Sequence, residues 1–491
     1  MGRSLTLSAM LLLISIQLLL PPAALVSSAA KPSPKLSGFT VMARPWVQKV
    51  ITSFLKELLQ QGAYSIVQNK PPSGGGDDAQ QQLGGAAATG TAALLVIDMS
   101  LGTPTPQNVS GLVDITSQLV WAQCSACATR AACAATPPPA DTFLPNNSAT
   151  FSPLPCSSGM CLSVLRETCG AKATRADCDR YIATYGPAVN TSGYLATDTF
   201  TFGSTRVPGV VFGCSDKTKG DFSGANGVIG LGRGPLSLIS QLQLSRFSYQ
   251  LWAPQDSIPE KSSGDDNRSI IRFGDEAVPK TKSSRSTPLL SSTQHPNLYY
   301  VNLTGILVDG KVLSDIPAGA FGLRANGAGG VVLSTTIPVT YLEAAAYRAV
   351  RQAMASRISL QPVDGSALLG LDLCYAAASM GNAKVPSLVL AFDGGGTVME
   401  LAVANYFLKD NDTGLECLTM LPSRGVSVLG SLLQAGTNMI YDVDGERLTF
   451  ERPPPSKPQP PRWVIIVSCV VVVAVLIVIW FLYRRCQRRR V

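Results

Sequence analysis

The stretch Gly111-Leu112-Val113-Asp114-Ile115-Thr116-Ser117-Gln118-Leu119-Val120-Trp121 decides how this chain is read. An apolar run carries one carboxylate into a short turn, and a second apolar run leads away. A lone Asp in such a turn is commonly a turn residue that binds its own backbone. Here, however, the arrangement returns about 220 residues later as Gly330-Val331-Val332-Leu333-Ser334-Thr335-Thr336-Ile337-Pro338-Val339-Thr340-Tyr341-Leu342. The lead-ins correspond too, residues 94–102 before the first turn and 299–306 before the second. The chain therefore contains two related halves, each presenting a strand–turn–strand loop.

Working outward, residues 92–451 read as β structure. Short runs of β-branched and aromatic residues (207–214, 246–252, 270–273 and 387–392) are bounded by Gly, Pro, Asn and Asp. Helical patterns are few, with 236–242 short and 342–358 the longest. The expected fold is all-β and bilobal, with an N-terminal lobe over 92–282 and a C-terminal lobe over 283–451. A cysteine-rich, loop-like insertion at 124–178 follows the first turn directly.

An ordered set of motifs carries a family likeness. The context Ser100-Leu-Gly-Thr-Pro-Thr-Pro-Gln107 precedes Leu112-Val-Asp114 and Leu119-Val-Trp-Ala-Gln-Cys124. Tyr185-Gly186, Gly193-Tyr-Leu-Ala-Thr-Asp-Thr199, Phe212-Gly-Cys214, Gly230-Leu-Gly-Arg-Gly-Pro-Leu-Ser-Leu238 and Arg246-Phe-Ser-Tyr249 follow in order. Leu373-Cys-Tyr375, Ala404-Asn-Tyr-Phe407, Val428-Leu-Gly430 and Tyr441-Asp442 complete it. In these motifs the chain resembles the pepsin-like aspartic proteases, in their plant nepenthesin-like branch. The resemblance implies two β lobes with a peptide-binding cleft between them, and no cofactor or metal.

It also implies a chemistry. Two carboxylates a few ångströms apart share one proton and hold one water, because two like charges that close cannot both ionise. Each Asp is expected in an Asp-Thr/Ser-Gly-Thr/Ser turn, where the second residue's hydroxyl braces the opposite loop and the glycine leaves room for backbone and water. Asp114 matches the first catalytic aspartate, but Ile115 has no hydroxyl and Thr116 stands where glycine belongs. In the second half Ser334 falls at the aspartate, Thr335 keeps the bracing hydroxyl, Thr336 replaces glycine and Ile337 replaces a hydroxyl residue. A serine hydroxyl holds no proton that is shareable near neutral pH. Tyr185 and Gly186 match the flap over the substrate, although Pro187-Ala188-Val189 departs from the family's Asp-Gly-Ser. Tyr185 is read equally as a residue over a bound peptide or as lobe packing. His295, the single histidine, is expected to be a surface-loop residue in a Gln-His-Pro turn.

The flanks set the compartment. Residues 1–30 read as a signal peptide, with Arg3, an apolar run from Leu5 to Leu20, and Ser28-Ala29-Ala30. Residues 31–91 read as a prosegment-like region, a basic start followed by an amphipathic helix (Val47, Val50, Ile51, Phe54, Leu55, Leu58, Leu59) and a Gly/Ser/Gln/Ala linker. Residues 452–462 form a proline-rich stalk, and 463–483 carry no charge. At about 1.5 Å per residue that apolar span reaches roughly 30 Å, a bilayer core. The arginine-rich tail 484–491 favours a cytoplasmic C-terminus. The expected protein is a type I single-pass membrane protein of the secretory pathway, at the plasma membrane with an extracellular ectodomain.

Composition excludes several classes. Of the formal charge of +8, six arginines at the two ends supply all but about +2, so nucleic-acid binding has no basis. One histidine excludes a multi-His metal site. The ten extracytoplasmic cysteines (Cys124, Cys127, Cys133, Cys156, Cys161, Cys169, Cys178, Cys214, Cys374, Cys417) suit disulfides in an oxidising compartment. By the family resemblance Cys374 pairs with Cys417, while the other eight leave about 105 pairings open. Sequons begin at Asn108, Asn146, Asn190, Asn267, Asn302 and Asn411.

Three functions follow as expectations. The first is a membrane-anchored, monomeric pseudoprotease that holds a peptide or protein in its cleft without cleaving it. The second is an active acid endopeptidase working through Asp114. The third is a glycosylated adhesion or inhibitor-like module.

Overall fold

The computed structural model describes residues 37–45, 95–125, 141–154, 158–159, 180–186, 189–222, 224–252, 268–281, 284–423 and 425–452. The expected signal peptide, amphipathic helix, linker, stalk, membrane span and tail lie outside these residues. So do Cys127, Cys133, Cys156, Cys161, Cys169, Cys178 and the sequon at Asn267. Among the described residues no helix is long and apolar enough to cross a membrane.

The architecture is mostly β. A central antiparallel sheet takes three strands from each half. Gly38–Pro45 pairs with Arg268–Gly274, which pairs with Arg246–Gln250. Arg246–Gln250 then joins Asn438–Asp442 across five register pairs, Arg246↔Asp442 to Gln250↔Asn438. The other side continues through Arg447–Glu451 to Arg285–Leu290. Alternation explains this placement: Phe247 and Tyr249 point into one face, where Phe247 stacks on Tyr441 with ring centroids 4.6 Å apart. The first strand was not legible as such. Residues 38–45 were expected only as the basic start of a prosegment.

Each lobe is then built on this floor. In the N-terminal lobe the long hairpin Val189–Phe202 with Thr205–Lys219 carries the strand Tyr181–Gly186 along one edge. In the C-terminal lobe two four-stranded sheets flank the core, one ordered Lys311–Val312, Leu303–Val308, Leu388–Phe392, Thr397–Leu401 and the other Val363–Gly365, Leu371–Ala376, Leu415–Leu418, Phe407–Asp410. The helix Ala344–Arg357 matches its expected range closely. Glu343 caps it by accepting from the amides of Ala345 (2.8 Å) and Ala346 (3.1 Å), and Tyr347, Val350 and Met354 bury one face.

Two disulfides lie among the described residues. Cys374 and Cys417 are direct cross-strand partners with Cα atoms 4.0 Å apart, as the resemblance implied. Cys124 bonds Cys214, joining the strand after the first turn to its parallel neighbour Thr205–Lys219. Cys124 is thereby excluded from a metal site with Cys127.

Candidate active site

The two turns are held in matching frames. The strand Gln107–Asp114 runs parallel to Gly227–Gly230, placing Asp114 beside Gly230, while Trp121–Gln123 pairs antiparallel to the same short strand. In the second half Val331–Leu333 runs parallel to Ser427–Leu429, and Thr340–Glu343 meets it antiparallel at Tyr341↔Val428. Glycine is required at the crossing in both halves. A Cβ at Gly230 would lie 2.6 Å from the Gln118 carbonyl carbon, and one at Gly430 would lie 2.4 Å from the Pro338 oxygen. The Leu231 amide donates to the Asp114 carbonyl at 2.8 Å, and the Ser334 amide to the Leu429 carbonyl at 3.1 Å.

Thr335 joins the two turns. Its hydroxyl donates to the Val113 carbonyl at 2.8 Å and accepts from the Ile115 amide at 3.3 Å, so it brackets Asp114 from the opposite half. This is the brace expected of Thr335. Ile115, fully buried, has no polar atom with which to return it.

Asp114 is 1% exposed. Its Oδ1 accepts from the Thr116 amide (2.8 Å) and the Thr116 hydroxyl (2.6 Å). The residue that replaces the expected glycine thus saturates one carboxylate oxygen. Oδ2 is buried without a hydrogen-bond partner. Burial pushes the carboxyl up to about 6, while the Thr116 hydroxyl and the amides of Thr116 and Ser117 pull it down.

Ser334 is fully buried. Its Oγ accepts from the amides of Thr336 (3.2 Å) and Ile337 (3.0 Å) and lies 3.2 Å from the Thr336 hydroxyl. Its oxygen is thus engaged by the amides of its own turn. His295 makes contacts within its own loop. It is 6% exposed, its amide donates to the Ser292 hydroxyl, and no hydrogen bond joins it to Ser334 or Asp114. The expected surface position is corrected: the loop is drawn inward where the Arg233 amide donates to the Asn297 carbonyl (2.9 Å) and the Tyr299 hydroxyl to the Leu231 carbonyl (2.9 Å). Burial lowers the pKa of His295 below its ordinary value.

Tyr185 packs on the lobe. It is 4% exposed within a cluster containing Trp121, Val189 and Phe222, and its hydroxyl accepts from Trp121 Nε1 at 2.8 Å. Ser117 Oγ lies 3.5 Å from the same hydroxyl. Burial raises the tyrosine's pKa further. Gly186 lies at the end of the strand beside Tyr185, paired with Val189.

Sequence reasoning missed a buried prop under the second turn. Gln434 Nε2 donates to the carbonyls of Ser334 (2.9 Å), Leu429 (2.9 Å) and Gly430 (3.2 Å), and its Oε1 accepts from the Tyr249 hydroxyl. Only Tyr249, within Arg246-Phe-Ser-Tyr249, carried a signal for it. The sequons at Asn108, Asn146 and Asn411 are exposed, whereas Asn190 and Asn302 are half-buried. Among the described residues no cluster of His, Cys, Asp and Glu could hold a metal ion.

The arrangement has one buried carboxyl where the chemistry implied by the resemblance uses two. Thr116 (7% exposed) and Thr336 (4%) occupy the turns where glycines would leave room for water.

Comparison with known proteins places these features. A family model described as xylanase inhibitor N-terminal matches residues 96–275, and one described as xylanase inhibitor C-terminal matches 298–452. The chain is 36% identical over 359 residues to aspartic proteinase nepenthesin-1 of Nepenthes gracilis, covering 72% of this chain and 76% of that protein. It is 33% identical over 357 residues to aspartyl protease family protein 2 of Arabidopsis thaliana, covering 72% and 69%. Among solved structures, basic 7S globulin from soybean shares the fold with a TM-score of 0.53 at 21% identity, covering 74% of this chain and 93% of that one.

Proposed function

Because the chain belongs to the pepsin-like aspartic protease family, in its plant nepenthesin-like branch, we propose that it is a pseudoprotease, whose cleft binds a peptide or protein segment without cutting it. The observation that carries this reading is Ser334. It stands at the place of the second carboxylate with its hydroxyl oxygen taken up by two amides of its own turn. The loss is reinforced at the first turn, where Thr116 caps one oxygen of Asp114 and the other is sealed from solvent. A lone general acid–base group forfeits the paired proton shuttle, commonly worth on the order of a hundred- to ten-thousand-fold in rate. A cleft between β lobes suits an extended peptide, whose backbone adds to strand edges. In this reading the protein is a monomeric, glycosylated, type I membrane protein, with the stalk holding the lobes near the outer face of the plasma membrane.

The test is cleavage. The full chain, purified from a secretory host, is incubated with a complex peptide mixture from pH 3 to 7 beside an Asp114→Asn control, and products are read by mass spectrometry. Indistinguishable spectra are expected. Cuts that vanish in the control would establish an active endopeptidase instead. Gain of cleavage on combining Ser334→Asp with Thr116→Gly and Thr336→Gly would support a scaffold that has lost only its site.

A second reading, an inhibitor-like module acting through its surface, is favoured by the descriptions of both family models. It predicts a protein partner whose binding is unchanged by substitutions at Asp114 and Tyr185.

A further inference from the structure

Residues 38–45 lie outside the repeated core in sequence and inside it in space. The strand Gly38–Pro45 pairs with Arg268–Gly274 from Gly38↔Gly274 to Pro45↔Arg268, and touches Val96–Leu101 at Ala43↔Ile97. Phe39, Val41 and Ala43 are buried. The Phe39 ring stacks on Phe273 at 4.6 Å and on Phe202 at 5.4 Å. At the far end Arg44 grips Asp98 Oδ1 through Nε (2.8 Å) and Nη2 (2.7 Å), and its Nη1 donates to the Gly224 carbonyl at 3.4 Å. One short strand thereby touches the hairpin, the first core strand and the strand that ends the N-terminal half.

The segment just before the core offers little to replace it. Val96–Leu101 is already paired with Gln107–Asp114 and Val189–Phe202. Residues 71–94 contain no Val, Ile, Phe, Tyr or Trp, so they are poor material for a substitute strand. If residues 38–45 left, Arg268–Gly274 would become an open edge, Phe273 would lose its stacking partner and Asp98 its cation.

We propose that Gly38–Pro45 is a permanent strand of the mature protein, and that a proteolytic cut anywhere in 46–94 leaves it bound to the core. No cysteine precedes Cys124, so the N-terminal piece of such a two-chain protein is held without a disulfide, by the sheet ladder, the phenylalanine stack and Arg44. This gives residues 38–45 a place in the folded core, within the region 31–91 that the sequence reads as prosegment-like. It is independent of whether Asp114 supports catalysis.

The experiment uses the full chain with a site-specific protease sequence inserted after Gly84. After cutting, size-exclusion chromatography in native buffer and mass spectrometry follow the N-terminal fragment. The fragment is expected to co-elute with the core and to separate only in denaturant. Phe39→Ala, which removes the stacked ring, is expected to speed its dissociation at least ten-fold. Loss of the fragment from the cut parent protein in native buffer overturns the proposal, whether the core stays folded or aggregates. A dissociation rate unchanged by Phe39→Ala overturns it equally.

Discussion

Asp114→Asn tests the electrostatics of the first turn. The Asp114 carboxyl sits near 6 in the folded protein against 3.8 for the free side chain, chiefly because burial disfavours the charged form. A shift of about two units corresponds to about 3 kcal/mol. The folded chain binds this proton more tightly than the unfolded chain does. The stability the group contributes is therefore complete only well below the unfolded value of 3.8 and is lost as the pH rises from there through 6. Asparagine keeps the shape and still accepts from Thr116, but it cannot ionise. It places an unpaired amide group at the Oδ2 position, a constant penalty of about 1–3 kcal/mol. That constant cancels in a double difference. The stability of the variant minus that of the parent should become more favourable by about 2 kcal/mol between pH 4 and pH 7, a change on the order of fifty-fold in folded-to-unfolded ratio. Urea unfolding at the two pH values measures it, and carboxylates elsewhere drop out because both proteins share them. A double difference near zero, or one favouring the parent at pH 7, would refute the claim that Asp114 is buried without a counter-charge.

Two further outcomes follow from the geometry. Glu451 accepts from the amides of Lys280 (2.7 Å) and Thr281 (2.6 Å), from Ser284 Oγ (3.3 Å) and from Asn438 Nδ2 (3.1 Å). Burial pushes its carboxyl up, but the bonds from Asn438, Thr281 and Lys280 outweigh this and leave the pKa below the ordinary value. Its stabilising effect is thus present above the unfolded pKa and lost as the pH falls through the folded one, so Glu451→Gln should cost about 2 kcal/mol at pH 7 and less at pH 3 by denaturant unfolding. Thr335→Val deletes both hydrogen bonds that join the turns while keeping the side-chain volume. A loss of about 1–3 kcal/mol is expected, read as a lower denaturation midpoint with an unchanged m-value.

What was legible in the sequence was what repeats or what is local. The paired turns, Thr335 as the bracing residue and the helix Ala344–Arg357 are written in contiguous residues. The bridge Cys374–Cys417 came from the family likeness, and a direct cross-strand register realises it. What escaped is non-local. Phe39, Val41 and Ala43 alternate in only one short stretch, and their partner strand begins at Arg268, beyond a long linker. Gln434 carries no local signal of the prop it forms beneath Ser334, because its partners come from Tyr249 and from turns closed by tertiary packing. His295 looked like a surface loop because Gln-His-Pro is turn chemistry. Its burial depends on the Arg233 loop meeting it from the other half.

In the proposed reading, the central sheet also bears on how a ligand enters. The seam between the halves is a continuous ladder, with Arg246–Gln250 hydrogen-bonded to Asn438–Asp442 and the rings of Phe247 and Tyr441 stacked across it. Such a seam binds the halves along one shared keel of hydrogen bonds and stacked rings. Away from the keel, the strand Tyr181–Gly186 is paired with Val189–Phe202. In the proposed reading, a peptide that takes the place of Tyr185 must replace its contacts with Trp121 and Phe222, which favours ligands carrying an aromatic or apolar side chain.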